Sequence, residues 1–391
     1  MEIYENVLEK AEREKLIEEA AQMQKNIADS HLKFGTFCDE QYSCIDKYMK
    51  SKEFEEKQDI LEKISKDSEL RKKQGFNHEA VRAASIHLEK NSKMDIQEVR
   101  EKKEERNLYL KLALENYAKT LVMNDKKAEL KVYRLVGLWF SNMEAHDINK
   151  FIEPILEKIP EDKFVGILYQ LCGRMTIPQK NSTTSGDIFQ KNLQNLIFRC
   201  GKKHPYHALP IILALANANA DEEYIQSANG GKFKSTNSDH PDNQRSAAAR
   251  NLLKKLKNEN VMLNEAAVKT EELSLALVSL AYSVPKTDVG KIRISSNHPL
   301  LKLKNLENVL LPTHTLKLSK DAVYLNTPQF CGIQKFQGDF TMVGGINAPK
   351  KLYCIGTDGK ARPQLIKGKD DLRQDAVMQQ VFGLMNDLLN R

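Results

Sequence analysis

One tryptophan occurs in 391 residues, and Phe, Trp and Tyr together supply only 7% of the chain. A nucleic-acid reader shows a concentrated basic face with aromatic or helix-turn-helix signals; neither occurs here. The six cysteines, Cys38, Cys44, Cys172, Cys200, Cys331 and Cys354, include no CxxC pair and no His at zinc spacing. A zinc module is therefore excluded. The nine histidines form no nucleophile or metal constellation either. Met1-Glu2-Ile3 opens a charged stretch, which argues against a secretory leader. The best apolar run, residues 208–220, is too short to cross a bilayer. Reduced thiols in a nuclear or cytoplasmic protein, away from membranes, are the simple inference.

Charge of one sign is scarce as well. After residue 290 there are 15 Lys/Arg against 8 Asp/Glu, which supplies the whole net charge of +7; the first 290 residues balance at 45 and 45. So modest an excess reads as solvated surface plus phosphate-facing lysines.

Helix breakers are sparse up to residue 284, and that part reads as helix throughout. Residues 1–29 hold no Pro or Gly. Residues 37–70 continue with Tyr42, Ile45, Tyr48 and Met49 on one face. Asp95 is expected to cap a long helix that turns apolar at Leu110, Leu114, Tyr117 and Leu121. Trp139, among Leu135, Val136 and Phe140, reads as a core residue. Further helices are expected over 163–174, 188–200, 207–218, 245–257 and 264–283, with breaks at Pro154, Pro160, Pro178 and Gly201. His204 and His207 read as capping or packing groups. Paired helices with one apolar stripe each suggest an α-solenoid. Residues 90–106 mix charges as a solvated helix does, and residues 226–243, rich in Gly, Ser, Asn and Asp, read as a loop. Residues 285–290 end the last helix. Strand-like alternation follows (Ile292, Ile294; Leu316, Leu318), which places a domain boundary between 284 and 285.

The chemistry is concentrated at the end of the chain. An extended stretch with Leu365 and Ile366 delivers Lys367, and Gly368 breaks the strand. Asp370, Asp371 and Asp375 follow. A helix then begins with Val377, Val381, Leu384, Leu388 and Leu389 on one face. Nucleotide kinases need a strand lysine facing phosphate oxygens and a helix acid that holds it in place. Upstream, residues 336–343 and 346–355 read as a hairpin about Gly344-Gly345, and Asp358-Gly359 turns the chain into the strand of Lys367. Glycines at the first turn let backbone N–H groups approach phosphates with no Cβ in the way. Taken singly, a Gly-Gly pair is a structural turn and a strand lysine is surface; with Asp370 and Asp375 at these spacings they point to a phosphate site. Asp370 and Asp371 also suit helix capping and dipole compensation.

The string KGKDDLRQDAVMQQVF resembles the N-lobe signature of the phosphatidylinositol 3-kinase-related protein kinases. HPYHALPIILALANANADE, YMKSKEFEEKQ, HPLLKLKNLENVLLPT and GGINAPKKLYCIGTDGK resemble one member of that family, so the resemblance runs from about residue 40 onward. It implies a mainly α fold: residues 1–284 as the end of a helical-repeat FAT domain, and residues 285–391 as a kinase N-lobe with an antiparallel sheet and C-helix. It implies that Lys367 contacts the ATP α/β-phosphates, that Asp375 orients Lys367, and that Asp370 lies close to both. Gly344 and Gly345 would lie over the phosphates, and Leu365 would form part of the adenine wall. ATP and Mg²⁺ are the implied cofactors. Protein substrates with Ser/Thr-Gln sites, DNA-damage sensor complexes and a second copy of the chain are the implied partners, in the nucleus.

Phosphoryl transfer also needs a catalytic-loop Asp, an Asn for magnesium and a second metal-binding Asp. Only 24 residues follow Lys367, and no such strings occur among them. The expectation is therefore a fragment with half an ATP site, no catalytic residue of its own and no kinase activity alone. A non-catalytic helical scaffold and a lipid kinase are the other readings; the second leaves the upstream strings unexplained.

Overall fold

A computed structural model describes residues 2–74, 79–123, 128–178, 184–220, 241–285, 289–311, 316–320, 330–344, 349–368 and 372–389. The described chain forms two compact units, Met1–Lys163 with Asn181–Asn192, and Phe164–Lys180 with Leu193–Arg391.

In the first unit, α1 (Glu2–Met49) lies antiparallel to α3 (Glu79–Val122), and α2 (Lys52–Gln74) leads from one towards the other. Residues 30–36 continue the helix. Gly35 continues α1, because α3 passes so close that a Cβ there would sit 3.1 Å from the Tyr117 ring. The real break comes at Lys50-Ser51, where the Ser51 hydroxyl accepts from Phe54 N and caps α2. Asp95 caps nothing. It lies inside α3 and pairs with Lys57 Nζ at 2.8 Å. Polar ties hold the hairpin. Arg134 of α4 (Lys131–Ser141) donates twice to Asp39, at 2.8 and 2.6 Å, and the Tyr117 hydroxyl donates to Asp39 at 2.9 Å. Burial works to raise the Asp39 carboxyl, but those donors overcome it and hold the carboxyl below the usual range. Arg106 likewise reaches Asp46 and Asn142.

Trp139 is fully buried, and Ile148 and Ile152 of α5 (His146–Lys158) are too. Pro154 sits inside α5 instead of ending it. Buried Ile152 and Leu156 on either side offset the one missing helical hydrogen bond.

The second unit opens with α6 and α7, one short turn each (Asp162–Val165, reaching back into the first unit, and Leu168–Cys172). The expected break at Gly201 is absent too. Gly201 lies inside α8 (Ser185–Lys203), where a Cβ would meet the Leu256 methyl of α10 (Pro241–Lys257) at 2.9 Å. α9 (Pro205–Ala216) is apolar almost all round, so it is a buried helix; Ser246 and Arg250 of α10 donate to its last carbonyl, Ala216 O, at 3.1 and 3.0 Å. The Asn260 side chain accepts from Leu263 N at 2.8 Å and starts α11 (Val261–Tyr282). The loop expected at 226–243 lies outside the described residues up to 240, and Pro241 then opens α10.

The sheet is antiparallel with order β1-β2-β3-β4: Lys291–Arg293, Ile333–Met342, Lys350–Gly356 and Ala361–Ile366. Leu316 and Leu318 are not in a strand. Along β3, residues 350, 352, 354 and 356 are buried and those between are half-buried, the period of a sheet with one covered face. α11 supplies part of the cover: Leu273, Ala276 and Leu280 join Ile294, Leu300, Ile333, Phe336, Phe340, Leu352 and Cys354 in one core, with Leu300 from the short α12 (Pro299–Lys302). α13 (Leu372–Leu389) follows β4.

Candidate functional site

β4 and α13 build the site. Leu352 pairs with Gln364 and Lys350 with Ile366, so Gln364 and Ile366 share the covered face. Leu365 points the other way and is 53% exposed. Lys367, two residues on, continues that open side. Its Nζ stands 3.6 Å from Asp375 Oδ2 in the first turn of α13, with the side chains 32% and 59% exposed. A cleft of about 640 Å³ lies around them, lined by Leu277, Phe336, Gln364, Leu365, Lys367 and Phe382 among others.

The structure thus brings together Lys367, Asp375 and Leu365 as read from the sequence. Gly344 ends the β2 side of the hairpin, and a Cβ there would meet no atom within 4 Å. Gly345 and Asp370 lie outside the described residues. The Asp358-Gly359 turn is as expected: Gly359 has φ +75°, and Arg362 holds Asp358 at 2.8 and 2.7 Å. That pairing lowers the Asp358 carboxyl far below the ordinary range. Among the described residues no group of three or more His, Cys, Asp or Glu is placed to hold a metal ion. No described helix is long and apolar enough to cross a membrane.

Two features were missed in the sequence. Lys350 is buried on β3, and its Nζ donates to Ala281 O, at the C-terminal end of α11, at 2.6 Å. A cation there answers the helix dipole and an orphan carbonyl at once. Gly368 approaches the same carbonyl, so that a Cβ would sit 3.0 Å from Ala281 O. The corner that delivers Lys367 to α13 is thus pinned on the end of α11. Lys350→Met is expected to cost about 1–3 kcal/mol, read as a lower urea midpoint for the second unit; a change below about 0.3 kcal/mol would remove this anchor from the account. The second feature concerns α13, which forms where expected although its apolar stripe is not buried. Val377, Val381 and Leu388 are 49%, 41% and 56% exposed.

No protein-family model matches the chain. Similar proteins are found nonetheless. The chain is 35% identical over 365 residues to the serine-protein kinase ATM of Sus scrofa and 30% identical over 359 residues to the serine/threonine-protein kinase ATM of Drosophila melanogaster. These matches cover 92% and 91% of this chain. The solved FAT and kinase domain of CtTel1 superposes with a TM-score of 0.69 at 25% identity, covering 93% of this chain and 23% of that one. The chain is homologous to one segment of the ATM/Tel1 serine/threonine kinases. It spans 12% of the length of either ATM relative. ATM is the member that the upstream strings singled out. The FAT-to-kinase match also accounts for the order of elements, helices first and the antiparallel sheet with its following helix last.

Proposed function

We propose that this ATM/Tel1-like segment supplies the phosphate-binding wall of a protein kinase. Residues 1–284 are the end of its FAT domain, and residues 285–391 its kinase N-lobe. The observation that carries the reading is the Lys367–Asp375 pair at the end of β4, 3.6 Å apart, beside a cleft and after a glycine-bearing hairpin. Lys367 holds the α/β-phosphates of ATP, Asp375 aims it, and Leu365 lies under the adenine. Gly344 covers the phosphates; the roles of Gly345 over the phosphates and of Asp370 beside them rest on the family resemblance. The open space at Gly344 and the Lys367 cation on the cleft wall fit a polyphosphate. Magnesium neutralises phosphate charge in such reactions; its ligands are assigned to parts of the kinase beyond these elements.

The activity follows as part of the same proposal: transfer of the ATP γ-phosphate to Ser or Thr followed by Gln, within DNA-damage signalling, in the nucleus, with sensor complexes as partners. A dimer is supported by the complete CtTel1 dimer with C2 symmetry, which matches at a TM-score of 0.69 and 25% identity. The test uses protein of natural length with radiolabelled ATP and magnesium. Label should enter a Ser-Gln peptide and not its Ser-Ala counterpart. Label in phosphatidylinositol would move the reading to a lipid kinase, and label in neither would leave a scaffold. The 391-residue chain alone is expected to label nothing.

A further inference from the structure

We propose that Gln380 of α13 is a positioning residue for the phosphate lysine. It ties α13 to the α6–α7 turn and thereby sets where Asp375 stands relative to Lys367. This role rests on the assignment of Lys367 and Asp375 to the phosphate site.

Gln380 makes a paired amide contact across 210 positions of sequence. Gln170 Nε2 donates to Gln380 Oε1 at 2.7 Å, and Gln380 Nε2 donates back to Gln170 Oε1 at 3.3 Å. The same Gln380 Nε2 donates to Gly166 O at 2.5 Å. The anchor is itself fixed, because Leu168 and Leu171, on either side of Gln170, are fully buried. Apolar burial contributes little at this helix: Met378, Phe382 and Met385 next to Gln380 are 49%, 55% and 51% exposed. Polar contacts therefore have unusual weight in placing it.

Asp375 precedes Gln380 by about one and a half helical turns, or roughly 7.5 Å along the axis. A helix passes a displacement over that distance almost rigidly. The Lys367–Asp375 separation of 3.6 Å is already at the long end for an ion pair, so a shift of a fraction of an ångström decides whether the carboxylate aims the ammonium.

The experiment uses the protein at its natural length with Gln380→Ala, Gln170→Ala and the shorter amide Gln380→Asn. One readout is hydrogen exchange across residues 372–389. The other is labelling by an acyl-phosphate derivative of ATP, which passes its acyl group to a lysine amine near the phosphates and releases ATP. Gln380→Ala should speed exchange in α13 by about tenfold, the combined effect of half-exposed hydrogen bonds. It should lower labelling of Lys367 several-fold. Gln170→Ala should move both readouts the same way by less, and Gln380→Asn should not restore them. Unchanged exchange in α13 would overturn the tether. Faster exchange with undiminished Lys367 labelling would overturn the coupling. If the unmodified protein of natural length shows no Lys367 labelling while exchange responds to Gln380→Ala, the phosphate reading fails and the tether is merely structural.

Discussion

Replacing Lys367 by alanine, in the protein at its natural length, is expected to lower peptide phosphorylation by at least about a hundredfold, the usual effect of removing one preorganised charge from a transition state. Stability should hardly move. The Lys367–Asp375 pair is about one third exposed on the lysine side and more on the aspartate side, and pairs of that kind contribute about 0–1 kcal/mol. The two quantities therefore separate cleanly. Initial rates with a Ser-Gln peptide report the chemistry, and the thermal midpoint of the same preparation reports the fold. A variant that keeps its rate would end the assignment of Lys367. A variant that loses rate and midpoint together would show a structural lysine instead.

The second large effect lies in the first unit. Trp139→Ala should destabilise that unit by about 3–5 kcal/mol, the range for deleting a buried large aromatic side chain. Trp139 is 0% exposed, and its ring centroid lies 5.4 Å from Phe140 and 5.0 Å from Phe189. Its indole N–H donates to Asn149 Oδ1 at 2.9 Å, and Asn149 donates to Met143 O and Ser185 O. The substitution leaves both a cavity and a buried acceptor without its donor, two separate costs. Trp139→Phe keeps most of the ring contact and loses only the hydrogen bond, so it should fall clearly less. Urea titration of the two variants compares them, and equal losses would show that the hydrogen bond dominates the packing.

Much of the fold was legible because periodicity is local. The return strand expected over 346–355, the Asp358-Gly359 turn and the core role of Trp139 each follow from nearby residues or from one side chain's size. The breaks were less legible. Pro154 and Gly201 carry the composition of helix ends, yet tertiary contacts keep both inside helices. Gly35 stays inside α1 because it admits the Tyr117 ring, and Asp95 meets Lys57 rather than an N-terminal turn. For Gly35, Gly201 and Asp95 a neighbour far along the chain outweighs a preference of about 1 kcal/mol or less; for Pro154 burial of its own helix offsets about 3 kcal/mol.

The candidate site divides in the same way. The sequence by itself determined which groups could meet a phosphate: Lys367 at a strand end and Asp375 eight residues on at the start of a helix. Those relations are fixed by the rise and period of a single strand and helix. Only the tertiary structure decided how the pair is held, with the Lys367 corner resting on Ala281 through Lys350 and Gly368, and α13 bound to Gln170 through Gln380. Amide and carbonyl groups carry no address in sequence. Any buried lysine or surface glutamine has the same donors, and only the fold brings their acceptors within reach.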